Sequence, residues 1–241
     1  MNPLGPDRRV AMTRPVRLGD VTPSARLRLD AIARYLQDVA GDDTAEIDFP
    51  EHHGWILRRL ELEIGRLPTL GHRVDVETRC TGVGARWAER TTTIAEAGEP
   101  LVTTRAVWVF VSIESGAPRP LPPVFFTAYG DGVRDHRVSA RLTLPAPAPD
   151  PVRDAWTWRA TDLDVFGHVN NANYWAPVEE WLAGAGRGRR IARAVLEFGA
   201  GIDPGESTTI ASEAVGDGTT FWYLVTGEVR ATAHLSLAPI T

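Results

Sequence analysis

The sequence contains no lysine; every one of its 26 Lys+Arg positions is arginine. Without lysine there is no Schiff base, which excludes pyridoxal-phosphate enzymes and class I aldolases. There is no P-loop, because its phosphate-binding lysine is missing. Ser-Lys hydrolases and the kinase lysine element are excluded on the same ground. A single cysteine, Cys80, rules out an intramolecular disulfide and a cysteine-based zinc cluster. Cys80 lies in a strand-like run with no histidine close in sequence and reads as a buried structural thiol. Long apolar runs are also missing. The longest is Ala106–Val111, far too short to cross a bilayer. Residues 1–14 carry no apolar signal-peptide core, so the expected location is the cytoplasm, with no membrane partner. A net charge of −5 argues against a nucleic-acid partner. No Gly-x-Ser-x-Gly elbow and no dinucleotide glycine pattern occur. His52-His53 has no third histidine at ligand spacing and reads as a surface loop. Neither a metal nor a cofactor is expected.

What is present is ordinary globular composition: 241 residues, 43% hydrophobic and 24% charged, a length suited to two domains of roughly 120 residues. Prolines cluster at Pro118–Pro123 and Pro145–Pro151. They bracket a segment, 116–151, that reads as extended connector and not as helix. Val124-Phe125-Phe126 is too apolar to hang free, so it packs along one half. The chain is divided accordingly into an N-terminal unit, 1–130, a proline-rich connector, 131–151, and a C-terminal unit, 152–241.

Each unit offers a helix followed by alternating runs. Leu29, Ile32, Ala33, Leu36, Val39 and Ala40 recur at helical spacing and predict about three turns stopping near Gly41. Leu60–Ile64, Val74–Thr78, Arg90–Ile94 and Val102–Ile113 read as strands. Later, 169–182 can form a helix, and Ala194–Phe198, Ser207–Glu213, Phe221–Val225 and Glu228–Leu237 read as strands. The halves share wording: Leu62-Glu63-Ile64 and Leu196-Glu197-Phe198 stand 134 residues apart, as do Gly71 and Gly205. This reads as a tandem duplication of an α+β unit, one helix wrapped by a curved antiparallel sheet. The other reading is a chance echo of two α+β domains.

One stretch concentrates chemistry: Asp162-Leu163-Asp164-Val165-Phe166-Gly167-His168-Val169-Asn170-Asn171-Ala172-Asn173-Tyr174. Three of the four asparagines in the chain lie here. Asparagine is poor inside helices and good at their starts. A carboxylate, an imidazole and the unpaired N–H groups of a helix start suit acyl transfer. The same stretch also reads as a merely capped helix, with Asp162 or Asp164 as the cap, and spacing alone leaves both readings open.

The pattern Asp-x-Asp-x-x-Gly-His-Val-Asn-Asn-x-x-Tyr resembles the signature of hot-dog-fold thioesterases. The tandem layout, with the motif in the second copy, is similar to the acyl-acyl-carrier-protein (acyl-ACP) thioesterases of bacteria and plants. The segments Gly19–Leu27 and Trp55–Gly71 resemble the N-terminal unit of that family. The resemblance implies an α+β tandem (double) hot-dog fold and hydrolysis of fatty acyl-ACP in fatty acid biosynthesis. It makes Asp164 and His168 the catalytic pair. Gly167, Val169, Asn170 and Asn171 would be oxyanion or supporting residues. Two departures stand out. Phe166 occupies the position of a plant asparagine. Gly201 and Ile202 fall where the plant enzymes carry a Glu-Cys pair. An acyl-CoA thioesterase and a catalytically weak acyl-binding relative are the alternatives. Aligning Tyr35 with Tyr174 sets Leu29 opposite His168 and Ala31 opposite Asn170. The first helix then has no equivalent motif, and its unit supplies the acyl pocket. Glu179-Glu180 close the motif helix as a solvated face or as partners for an arginine. Past them Arg187, Arg189, Arg190 and Arg193 form a basic run. It is a dock for an acidic carrier or simply solvated surface. The sequence leaves room for a homodimer.

Overall fold

A computed structural model describes residues 4–5 and 8–238. Residues 1–3, 6–7 and 239–241, which include part of the N-terminal stretch read above for a leader, lie outside the described residues.

The first half runs β1 (Val10–Pro15), α1 (Leu29–Ala45), β2 (His53–Ile64), β3 (Arg73–Val83), β4 (Trp87–Glu96), β5 (Glu99–Ser112) and α2 (Pro123–Tyr129). The second runs β6 (Val152–Trp156), a 3-10 turn at Asn171–Trp175, α3 (Ala176–Ala183), β7 (Arg190–Phe198), β8 (Thr208–Val215), β9 (Gly218–Val225) and β10 (Glu228–Ala238). All ten strands form one antiparallel sheet, ordered β1-β3-β4-β5-β2-β7-β10-β9-β8-β6. Read inward from either edge, the order within each half is first, third, fourth, fifth, second. This is the tandem hot-dog arrangement.

The seam between the halves is the β2–β7 ladder, in which Leu60 faces Leu196, Glu61 faces Val195 and Leu62 faces Ala194. Residues 134 apart exchange partners, so the internal echo of the sequence is the pseudo-twofold axis of the sheet, passing between Glu61 and Val195. On one face Leu60, Leu62 and Leu196 meet Ile32 and Leu36 of α1 and Val178 of α3 in a single core. Period-two alternation sends Arg59 and Glu197 to the opposite face. There the connector crosses the sheet: Arg59 donates to the Ser139 and Arg141 carbonyls, and the buried Glu197 carboxylate accepts the N–H groups of Thr143 and Leu144.

Three expectations are corrected. First, α1 continues through Gly41 to Ala45. Glycine inside a helix costs about 1 kcal/mol, but the last turn is pinned by Asp43, which pairs with Arg8 and Arg90. Second, the segment 116–151 is not all extended. Pro123 opens α2, where its missing N–H costs nothing, and Phe125 and Tyr129 bury in a satellite cluster with Phe110 and Val83. Third, the 169–182 helix is broken in character. Pro177 has no N–H to continue an α-helix from the preceding turn, so Asn171–Trp175 is 3-10 and α3 starts afresh at Ala176.

Candidate functional site

The motif folds as a tight hairpin turn. Leu163 and Val169 pair as an antiparallel bridge. The Asp164 N–H donates to the His168 carbonyl at 2.9 Å, and the Gly167 N–H donates to the Asp164 carbonyl at 3.0 Å. Gly167 takes a left-handed φ of 80°, which a glycine adopts without steric cost. Asp164 Oδ1 accepts the Phe166 N–H at 2.9 Å, so the carboxylate braces its own turn. Its second oxygen has no hydrogen-bond partner among the described residues. The turn tip is apolar and open: Val165 is 95% and Phe166 63% exposed.

Asp164 forms part of the wall of a cavity of about 830 Å³. Opposite stand Gln37, Ala40 and Gly41 of α1, and Trp55, Ala88, Trp108 and Phe125 supply apolar surface. The cavity also has a polar end, where Arg90 donates to Tyr129 Oη at 2.5 Å and is paired with Asp43, which Arg8 also holds at 2.6 Å. Burial raises the Asp43 carboxyl, but the charge of Arg90 and the hydrogen bonds of Tyr129 and Arg90 outweigh it and hold the group below the ordinary aspartate range. Cys80 lines the same end, and burial pushes its thiol up to about 11; it stays protonated and inert at neutral pH.

The residues singled out in the sequence do not all meet. Asp164, Asn170 and Asn171 line the cavity; Gly167, His168 and Val169 do not. The N–H groups of Gly167, Val169 and Asn170 donate to the carbonyls of Asp164, Ile202 and Asp162. Asn170 Oδ1 caps the helix start by accepting the Ala172 N–H, and it also accepts from Gln37 Nε2. Of the four supporting residues, Asn171 alone lines the cavity with an N–H that meets no acceptor among the described residues. His168 is exposed outside the wall, with Nδ1 2.6 Å from Asp203 Oδ1. Sequence reasoning missed Asp203. The position matched to the plant glutamate, Gly201, lies flat against the imidazole ring, where an added Cβ would be 3.5 Å away. Ile202 is fully buried. The acid reaches His168 from two residues further along, at the entry of a Pro204-Gly205 bend.

The first half contains the same turn, in a different register from the Tyr35–Tyr174 alignment. Val21 and Leu27 form the bridge, the Thr22 N–H donates to the Arg26 carbonyl, the Ala25 N–H donates to the Thr22 carbonyl, and Asp20 braces the entry as Asp162 does. The offset is 142 residues. Thr22 therefore stands opposite Asp164, Ala25 opposite Gly167, Arg26 opposite His168 and Arg28 opposite Asn170. The Tyr-based alignment failed because the helix registers differ: α1 is α-helical from Leu29, and its counterpart begins with a 3-10 turn. Arg187, Arg189 and Arg190 line another cavity, on the Thr22 side, that shares no lining residue with the Asp164 cavity. Arg193 pairs with Glu61 at the seam. Glu179, read as a possible arginine partner, holds Arg26 at 2.5 Å and accepts the Leu29 N–H. Among the described residues there is no group of three or more histidine, cysteine or acidic side chains placed to hold a metal, and no helix is long and apolar enough to cross a membrane.

The profile of the acyl-ACP thioesterase N-terminal domain matches residues 9–129, and that of the C-terminal domain matches 148–234. An uncharacterized protein of Mycobacterium tuberculosis is 30% identical over 217 residues, covering 90% of this chain and 87% of its own. An acyl-ACP thioesterase from Bacteroides thetaiotaomicron shares the fold with a TM-score of 0.83 at 18% identity, over 95% of this chain and 98% of its own. The 12:0-ACP thioesterase from Umbellularia californica does so with a TM-score of 0.79 at 18% identity, over 96% and 98%. Two family domains in the right order, spanning most of the chain, place this protein in the acyl-ACP thioesterase family.

Proposed function

We propose that this thioesterase releases free fatty acid from fatty acyl-ACP in fatty acid biosynthesis, with Asp164 as its reacting carboxylate. The observation that carries the reading is the state of that carboxylate. One oxygen is fixed by the Phe166 N–H and the other is unengaged, on the wall of a largely apolar cavity. An acyl chain laid along Trp55, Trp108 and Phe125 brings its thioester carbonyl to the turn. Asp164 takes a proton from a water, which attacks the carbonyl carbon. The Asn171 N–H receives the developing oxyanion. Collapse of the tetrahedral intermediate breaks the C–S bond and expels the carrier thiolate, which takes up a proton. Asp164 returns that proton to the thiolate, and His168, held by Asp203 outside the cavity wall, orients the turn.

The test is thiol release from a panel of acyl-ACP and acyl-CoA substrates, with and without Asp164→Asn. The expected result is turnover preferring acyl-ACP, lowered about 10²–10⁴-fold in the variant, the usual contribution of a positioned general base. Near-wild-type turnover in folded Asp164→Asn protein removes the assignment. A preference for acyl-CoA transfers the protein to the coenzyme A branch of the same chemistry.

A further inference from the structure

A cavity of about 840 Å³ lies between the Val21–Arg28 turn and α3. These are the pseudo-twofold counterparts of the turn and helix that wall the Asp164 cavity, and Leu182 and Ala183 stand where Ala40 and Gly41 stand in the first. The floor is apolar: Ile64, Leu182 and Ile191 are buried and Leu67 is half-buried. The rim is cationic. Arg26 and Arg28 are engaged by Glu179 and Asp30. Arg187, Arg189 and Arg190 are exposed, and none has a carboxylate within 4.0 Å among the described residues. Glu180 is the one lining carboxylate left without an arginine. Thr22 replaces the aspartate, so the turn itself brings no carboxylate to the wall, and Glu180 on the α3 side is the lining negative charge left over.

Arg187 and Arg190 donate to the Ala183 and Gly65 carbonyls, and an apolar floor below guanidinium groups without a carboxylate partner fits an aliphatic chain ending in an anion. A bare phosphate would leave the floor unfilled. We propose that this second cavity binds a fatty carboxylate, with its chain over Ile64, Leu182 and Ile191 and its head on Arg189 and Arg190. The chain's own product then has a non-hydrolytic site on the same molecule. That the ligand is the product rests on the thioesterase reading; that the cavity takes an amphipathic carboxylate does not.

The experiment is calorimetric titration of the full chain with dodecanoate below its micelle concentration. Two sites per chain are expected, one in each cavity. The triple variant R187S/R189S/R190S should weaken one of them by about tenfold or more, the scale of losing charge-assisted hydrogen bonds. Ala183→Trp, which fills the cavity from an exposed position, should abolish the same site by a different route. Thermal unfolding of each variant checks that it is folded. Acetate and inorganic phosphate should not displace dodecanoate. A single site untouched by either variant overturns the proposal, as does displacement by phosphate alone. Failure of the thioesterase reading would appear instead as no thiol release from any acyl substrate, with two-site binding intact.

Discussion

At residues 20–28 and again at 162–170 the backbone makes the same turn, with matched bridge, matched hydrogen bonds and a matched aspartate at its entry. What differs is the cargo. The second turn carries Asp164, Gly167 and His168; the first carries Thr22, Ala25 and Arg26. Ala25 holds the left-handed φ of 64° that Gly167 meets with 80°, so the first copy keeps the conformation even where its side chain disfavours it. The scaffold is therefore maintained by the fold, through the Leu27 and Val169 N–H bonds to the Pro68 and Ile202 carbonyls, and chemistry is free to reside in one copy.

The sharpest way to break the contrast is to make the turns alike. Asp164→Thr copies the first turn into the second and should lower thiol release about 10²–10⁴-fold with the unfolding midpoint preserved. If turnover survives, the carboxylate is only a turn brace. A large effect on stability belongs to the first half alone. Asp43 is buried with Arg8 and Arg90, and its counterpart 142 residues on is the exposed Ala185. Asp43→Asn takes from the buried Arg90 guanidinium its carboxylate partner and should cost about 3–5 kcal/mol, read from urea unfolding. Because Asp43 is depressed in the fold, the wild-type advantage is present above the unfolded aspartate value, about 3.9, and fades as pH falls through the lower folded value.

A smaller effect separates His168 from Arg26. The His168–Asp203 pair is more than half exposed, so its partnership is worth about 0.2–1 kcal/mol, at most about fivefold in rate. Asp203→Asn should lower turnover by no more than that, and adding Gly201→Glu, at the ring's own level, should restore it. A loss as deep as that of Asp164→Thr would make Asp203 part of the reacting machinery. Smallest is a pH slope from β10, where His234 stands opposite β5's Arg105 in the internal symmetry. Burial holds His234 below the ordinary imidazole value. The unfolded chain then binds a proton the folded one resists, and stability declines as pH drops below about 6.5. His234→Gln should flatten the melting temperature between pH 7.5 and 5.5; an unchanged slope would assign it elsewhere.

Much of this architecture was legible because its residues are half-buried and alternate. Leu60–Ile64 and Val74–Thr78 show the period of two, and Phe221–Val225 is buried on both faces and reads as a solid apolar run. The edge strands were not legible: β6 is exposed along almost its whole length and has no inward face to mark it, and β1 is short and ends in proline. At the site, the Asp164 turn announced itself through its asparagines and glycine. Asp203 did not, since its approach to His168 depends on how a bend after β7 folds back. The Asp43–Arg90 pair, 47 residues apart, has no local signature at all. The register of the first turn was misread because aromatic landmarks on two helices of different type do not keep a constant spacing.

The β2–β7 ladder has a consequence for synthesis. During translation β2 is complete about 130 residues before β7 emerges, a delay of roughly 7–27 s at bacterial and eukaryotic ribosome speeds. Throughout that interval a twelve-residue strand has one edge unpaired, the kind of surface on which nascent chains join one another. Arg58, Arg59, Glu61 and Glu63 crowd that strand, and once the ladder closes Glu61 is tied to Arg193 across it. Charges that in the finished molecule fasten the two halves serve, for those seconds, as guards against a neighbouring ribosome's product.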